Sequence, residues 1–140
     1  MSNPLIAKPN VLWAATLICL LSSLPIGCYR QIGPELATVS GTVTLDSKPL
    51  EGATVHFQPK SGRPSYGITN ALGEYDMGYS LERSGVTLGD HVVIIRTVLE
   101  DDNGKVTRRE MLPKKYHDQT TLSAVVEDKA NVIDFDLQSE

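Results

Sequence analysis

Two cysteines, three histidines and a few scattered serines and carboxylates are the side chains in this sequence with reactive chemistry to offer. Cys19 lies inside an apolar run, Cys28 follows directly after it, and no cysteine comes later, so the chain beyond Cys28 can close no internal disulfide. In an exported protein a lone free thiol is open to oxidation or intermolecular pairing. Acylation of the Cys28 sulfur would remove that reactivity. His56, His91 and His117 are far apart, and no H-x-H, H-E-x-x-H or paired-cysteine spacing sets metal ligands on one face. Ser61, Ser65 and Ser84 lack a G-x-S-x-G elbow. Residues 100–104, Glu-Asp-Asp-Asn-Gly, lack the register and closing glutamate of a calcium loop and read as a hairpin tip. Asp134 and Asp136 alternate with Ile133, Phe135 and Leu137, which assigns them to a solvated outer face. The expectation is a chain with no catalytic residue, metal site or cofactor.

Charge and length narrow the partners. The chain has 140 residues, with 13 Lys and Arg against 17 Asp and Glu. Only Lys8 precedes Cys28, which leaves 12 cationic and 17 acidic side chains beyond it, a net charge of −5. An acidic domain without a basic stripe argues against nucleic acid. Residues 1–28 have the three parts of an export leader: a polar start with Lys8, an apolar stretch over residues 11–24, and Leu24-Pro25-Ile26-Gly27-Cys28. The stretch falls short of the roughly 20 apolar residues of a spanning helix. Gly27-Cys28 resembles the cleavage site of the bacterial lipoprotein signal peptide, in which the cysteine is diacylated and becomes the new N-terminus. That resemblance implies a signal peptide over residues 1–27, an acylated Cys28 with a flexible tether over 28–37, and a membrane as partner through the anchor. Two acyl chains supply the stable attachment that one chain does not. Tyr29, in the place after the cysteine, resembles lipoproteins sent to an outer membrane or the cell surface in preference to the inner membrane.

From Thr38 onward, short alternating runs recur between turn residues, the pattern of an all-β domain over residues 38–140. Val39, Val43 and Leu45 share one face of the first run; Ala53, Val55 and Phe57 share one face of the second. Residues 66–69 and 74–79 are predicted to form a hairpin about Asn70-Ala71-Leu72-Gly73, with positive φ at Gly73 and Tyr75, Met77 and Tyr79 inward. The near-continuous β-branched run over residues 91–98 predicts a central strand covered on both faces. Asn103-Gly104 marks a tight turn, residues 108–120 a long connection crossing between sheets, and residues 121–127 and 131–137 the last two strands. About seven strands in this length is the count of a Greek-key β-sandwich.

Val39-Ser40-Gly41-Thr42-Val43, Lys48-Pro49-Leu50-Glu51-Gly52-Ala53-Thr54-Val55, Thr69-Asn70-Ala71-Leu72-Gly73-Glu74-Tyr75 and the Gly89-to-Val93 stretch together resemble the carboxypeptidase-regulatory-like, transthyretin-like domain. Asn70 and His91 stand where aspartate and tyrosine are commoner in that family. The resemblance implies a transthyretin-like sandwich. It carries over no enzyme activity, because the Tyr-Arg-Gly-Ser ending of the hydroxyisourate hydrolases is replaced here by Asp136-Leu137-Gln138-Ser139-Glu140.

The function expected is that of a non-enzymatic, lipid-anchored envelope protein, structural or binding a protein or glycan. Candidate contacts are loop residues that add positive and aromatic groups to an acidic domain: Arg63, Arg108, Arg109, Lys114, Lys115 and Tyr116. The alternative is a transthyretin-like small-molecule carrier or hydrolase working at an oligomer interface lined by His or Arg.

Overall fold

The structure, a computed structural model, describes residues 33–140. The leader, Cys28 and the first part of the tether lie outside the described residues. The described chain is all-β, with strands β1 (Leu36–Ala37), β2 (Val39–Leu45), β3 (Lys48–Pro49), β4 (Thr54–Pro59), β5 (Ser65–Ile68), β6 (Glu74–Asp76) and β7 (Val86–Thr87). It continues with β8 (Gly89–Arg96), β9 (Leu99–Glu100), β10 (Val106–Arg108), a 3-10 turn at Lys114–Tyr116, β11 (Ser123–Val126), β12 (Asn131–Val132) and β13 (Phe135–Leu137). Each of the seven predicted runs contains a strand. Among the described residues no helix is long and apolar enough to cross a membrane.

The strands form a sandwich. One sheet has the order β11-β8-β4-β5, antiparallel throughout. The other is built around β2: β6 and β3 pair antiparallel along one edge, and β12 and β13 pair parallel along the opposite edge in a single register, Asn131 against Val39 and Leu137 against Leu45. Alternation decides what lies between the sheets, since successive side chains of a strand point to opposite faces. Val43, Ala53, Val55, Phe57, Val93 and Ile95 are fully buried, and the ring of Phe57 meets Phe135 of the facing sheet edge-on at 6.3 Å.

Several sequence expectations are corrected. Residues 66–69 and 74–79 do turn at Gly73, whose φ is +76°, but β5 joins the β8 sheet and β6 joins β2, so the turn links the two layers. Only Tyr66 and Gly78 still bridge the two segments. β8 is central but covered on one face: His91, Val93 and Ile95 are buried while Val92 is half exposed. Tyr79 is half-buried, not inside. Residues 108–120 return the chain from β8 to β11 of the same sheet, and the last crossing between layers is made by residues 127–131. Leu36–Ala37, assigned to the tether by the sequence, pair antiparallel with β7, and Pro34 O accepts a hydrogen bond from Arg83 Nη2 at 2.7 Å.

The motif residues have identifiable work in the fold. A Cβ on Gly41 would stand 1.9 Å from the carbonyl oxygen of Ile133 and 3.1 Å from the Tyr75 hydroxyl. That carbonyl has swung over Gly41 to accept a hydrogen bond from Tyr75 Oη at 2.6 Å, and the amide of Thr42 donates instead to Asp134 Oδ1 at 2.7 Å. Burial first, and the Asp134 carboxylate second, raise the Tyr75 pKa far above the ordinary phenol, so the hydroxyl remains a donor. The buried Thr69 hydroxyl donates to Leu50 O at 2.5 Å and accepts from Ala53 N at 2.8 Å, which pins the turn from β3 into β4. Asn70 Oδ1 accepts from the amides of Leu72 and Glu74, a role that aspartate would fill equally well.

This arrangement separates two substitutions. Tyr75→Phe removes one hydrogen bond and strands a carbonyl, which should cost about 1–2 kcal/mol. Gly41→Ala forces β2 and residue 133 apart and should cost about 3 kcal/mol or more. Urea unfolding of the two variants checks the order.

Candidate functional site

The residues singled out for binding fall at opposite ends of the sandwich. β4 and β8 run antiparallel with Pro59 opposite His91 and Thr54 opposite Arg96. The loop after Pro59, which bears the exposed Arg63, therefore leaves one end of the sheet, and the connection after Arg96 leaves the other. The length of β4 sets them roughly 17 Å apart. The end holding Arg63 is also where the chain enters the domain, since Val39, Gly78 and Ser84 cluster there through the Met77-to-Val39 and Tyr66–Gly78–Ser84 backbone links.

At the far end, two of the five remaining candidates belong to the framework. Arg108 Nε donates to Thr97 O at 2.6 Å and its Nη2 donates to Gly52 O. A side chain on Gly52, at φ +68°, would come within 2.8 Å of that guanidinium. Tyr116 is buried, its hydroxyl oxygen accepting from Gln138 N at 2.9 Å, so it fastens the end of β13 and is not a surface aromatic. Directly after the Leu112-Pro113 step, a pair of lysines gives this segment a polar look, while Leu112, Tyr116 and His117 all turn inward. Arg109, Lys114 and Lys115 are exposed; Lys115 Nζ lies 5.2 Å from the Tyr116 ring centroid and donates to Glu140 O. These three share this end with exposed Lys48 and Lys105 and with the carboxylates of Glu51, Glu100, Asp101 and Asp102.

Sequence reasoning missed the residue that organises it. Glu110 accepts from Thr97 Oγ1 at 2.5 Å, from Thr97 N at 3.0 Å, and from the amides of Met111 and Leu112 at 3.0 and 3.1 Å. Thr97 Oγ1 in turn accepts from Met111 N at 2.8 Å. Burial acts to raise the Glu110 pKa, but the Thr97 hydroxyl and the amides of Leu112, Thr97 and Val98 outweigh it and hold the carboxyl below its ordinary value. No motif marks a glutamate that caps loop amides, so only its partners reveal it.

The histidines do not converge. His91 sits in the core with Nδ1 2.9 Å from Gly89 O and Nε2 3.1 Å from Thr87 Oγ1; burial lowers its pKa, partly offset by the Gly89 carbonyl and Asp90. His117 is buried, with Nε2 3.0 Å from Leu112 O and Nδ1 3.3 Å from Asp118 Oδ2, within ion-pair range but out of hydrogen-bonding geometry. Asp118 also pairs with Arg96 at 2.7 Å. His56 lies on the outer face of the four-stranded sheet, edge-on to Tyr66 at 4.5 Å, its pKa lowered by burial and then by Arg96. Asp134 and Asp136 are exposed, and each accepts from a threonine hydroxyl of β2, Thr42 and Thr44. Asp134 lines a shallow cleft of about 390 Å³ with Glu74, Asp76 and Tyr75. Among the described residues no three His, Cys, Asp or Glu side chains group as metal ligands do.

No protein-family model matches this chain, and no match was found among curated proteins. Among solved structures, a DUF3823 family protein from Parabacteroides merdae superposes with a TM-score of 0.45 and 9% identity, over 74% of this chain and 46% of that one. A 9R-lipoxygenase from Cyanothece gives a TM-score of 0.37 and 14% identity, over 74% of this chain and 16% of its own. The matched region thus spans less than half of either protein.

Because the folded-state pKa of Glu110 is depressed, its stabilisation is complete above about pH 4.5, the unperturbed value, and is lost as pH falls through the lower folded value. Glu110→Gln should cost about 1.5 kcal/mol at pH 7. Urea unfolding of wild type and variant should show that difference shrinking as the pH is lowered below about 4.5.

Proposed function

We propose that this chain is a lipid-anchored protein of the bacterial cell envelope, held to a membrane by a diacylated Cys28. Beyond the anchor it carries a carboxypeptidase-regulatory-like domain that works without catalysis, as a structural or binding module for an envelope protein or glycan. The observation that carries the reading is the position of Cys28, the last cysteine of the chain, immediately after an apolar stretch of export type and the small residue Gly27. The proposed location is the outer membrane or the cell surface.

The domain adds support from its interior. Thr69, Thr97, His91, His117 and Asn131 are buried, and each directs polar atoms at backbone groups that hold turns and strand ends in place. Gly41, Thr69, Gly73 and Tyr75, which carry the family resemblance, are the residues that shape the β2 edge and its neighbouring turns. An anchor placed before Gly33 holds the chain-entry end near the membrane and turns Arg109, Lys114 and Lys115 away from it.

One observation favours the second reading, a carrier or hydrolase at an oligomer interface. The outer face of the four-stranded sheet leaves Tyr66, Ile68, Val92 and Val125 exposed around His56 and Arg96, an apolar surface with the side chains such an interface would use. Sedimentation equilibrium of the full protein in detergent separates the readings, and a monomer removes the second.

The first experiment is the intact mass of the protein recovered from the membrane fraction beside its Cys28→Ser variant. The expected mass is that of residues 28–140 plus acyl groups, with the variant lost from the membrane fraction. An unmodified or uncleaved chain would overturn the anchor.

A further inference from the structure

The chain-entry end of the sandwich carries a small surface with a distinctive composition. The amides of Tyr79 and Ser80 both donate to Arg83 O at 2.9 Å, and Arg83 N donates to Ser80 Oγ at 3.1 Å, closing a tight loop. At its tip the side chain of Leu81 is completely exposed, at 107% of its reference area. Behind it, the guanidiniums of Arg63 and Arg83 lie 5.4 and 5.5 Å from the centroid of the half-buried Tyr79 ring. Arg83 also binds Pro34 O, so this loop and the incoming chain are fastened together.

We infer that this surface rests on the phospholipid headgroup layer of the anchoring bilayer, with Leu81 inserted at the interface and the two guanidiniums on headgroup phosphates. The inference depends on the acylation of Cys28 proposed above. Five residues lead from Cys28 to Gly33, a reach of no more than about 18 Å even fully extended. A domain so closely leashed holds its entry end against the headgroups, and Leu81 is the most exposed apolar side chain there, ahead of Val125 and Val132. The chemistry suits that layer: tyrosine belongs at the headgroup level, and arginine forms paired hydrogen bonds to phosphate. Bulk charge is not the driving force, because Glu35, Glu82, Asp90, Glu127 and Asp128 outnumber Lys60, Arg63, Arg83 and Lys129 at this end. What remains is one inserted leucine and specific phosphate contacts.

Once Cys28 carries its thioether and the leader is removed, the mature protein has no free thiol, so a single introduced cysteine can be labelled cleanly. The full acylated protein, purified from membranes and reconstituted into phosphatidylethanolamine–phosphatidylglycerol vesicles, would carry an environment-sensitive fluorophore at Leu81→Cys or, at the opposite end, at Asn103→Cys. The expected result is blue-shifted emission at position 81 and quenching by headgroup-level spin-labelled lipids several-fold stronger than at position 103. Arg63→Ala should weaken the quenching at 81, and an unchanged signal would overturn the guanidinium contacts. Equal, water-like signals from both positions in a protein that floats with the vesicles would overturn this inference alone. A chain that bears no acyl groups and stays in solution would overturn the anchor and this inference together.

Discussion

The hydroxyl of Tyr75, donated across the bare face of Gly41 to the carbonyl of Ile133, ties together three strands that the sequence keeps far apart. β2 lies in the middle, with β6 supplying the phenol from one edge and the β12–β13 segment supplying the carbonyl from the other. The bond requires that the carbonyl leave the strand ladder, which frees the Thr42 amide, and the Asp134 carboxylate takes up that amide and the Thr42 hydroxyl together. A buried backbone group without a partner is costly, so the displaced carbonyl, the missing side chain at Gly41 and the carboxylate at 134 form one arrangement. None of the three is favourable without the other two.

A second polar knot does the same work at the end far from the chain entry. Thr97 closes β8, and Glu110 and Arg108 return from the β9–β10 hairpin to bind its hydroxyl, amide and carbonyl. These groups look reactive when read one at a time: an acid, a base, a hydroxyl. Each is saturated by neighbours that fix the backbone, and the freely exposed cations are left on the rim. The polar groups inside this end thus hold backbone in place, and its exposed side chains lie on loops at the surface.

The inward residues of the strands were legible because a period of two is a local property: Val39, Val43, Ala53, Val55, Phe57, Tyr75 and Met77 are buried as their alternation implies. Which layer each strand joins was not legible. The turn at Gly73 looks like any hairpin from its residues, yet it parts β5 from β6 into different sheets, because a strand's apolar face says nothing of which partner it hydrogen-bonds. The continuous apolar run of β8 suggested two covered faces, where Val92 is half exposed. Of the candidate contacts, Arg63, Arg109, Lys114 and Lys115 are exposed, while composition could not reveal that Arg108 and Tyr116 bind the frame. Glu110 was invisible, since its role is defined wholly by amides folded around it.

The parallel pairing of β2 with β12 and β13 gives the domain an order of assembly in time. A chain made from its N-terminus presents β2 among its first described residues, and the partner for one whole edge of that strand follows 92 residues later in register. Until then β2 offers open backbone donors and acceptors, and Gly41 awaits a carbonyl that does not yet exist. Contacts of such long sequence separation close late and slowly. The sandwich therefore waits on the β12–β13 segment, and one edge of its central strand stays open until that segment arrives.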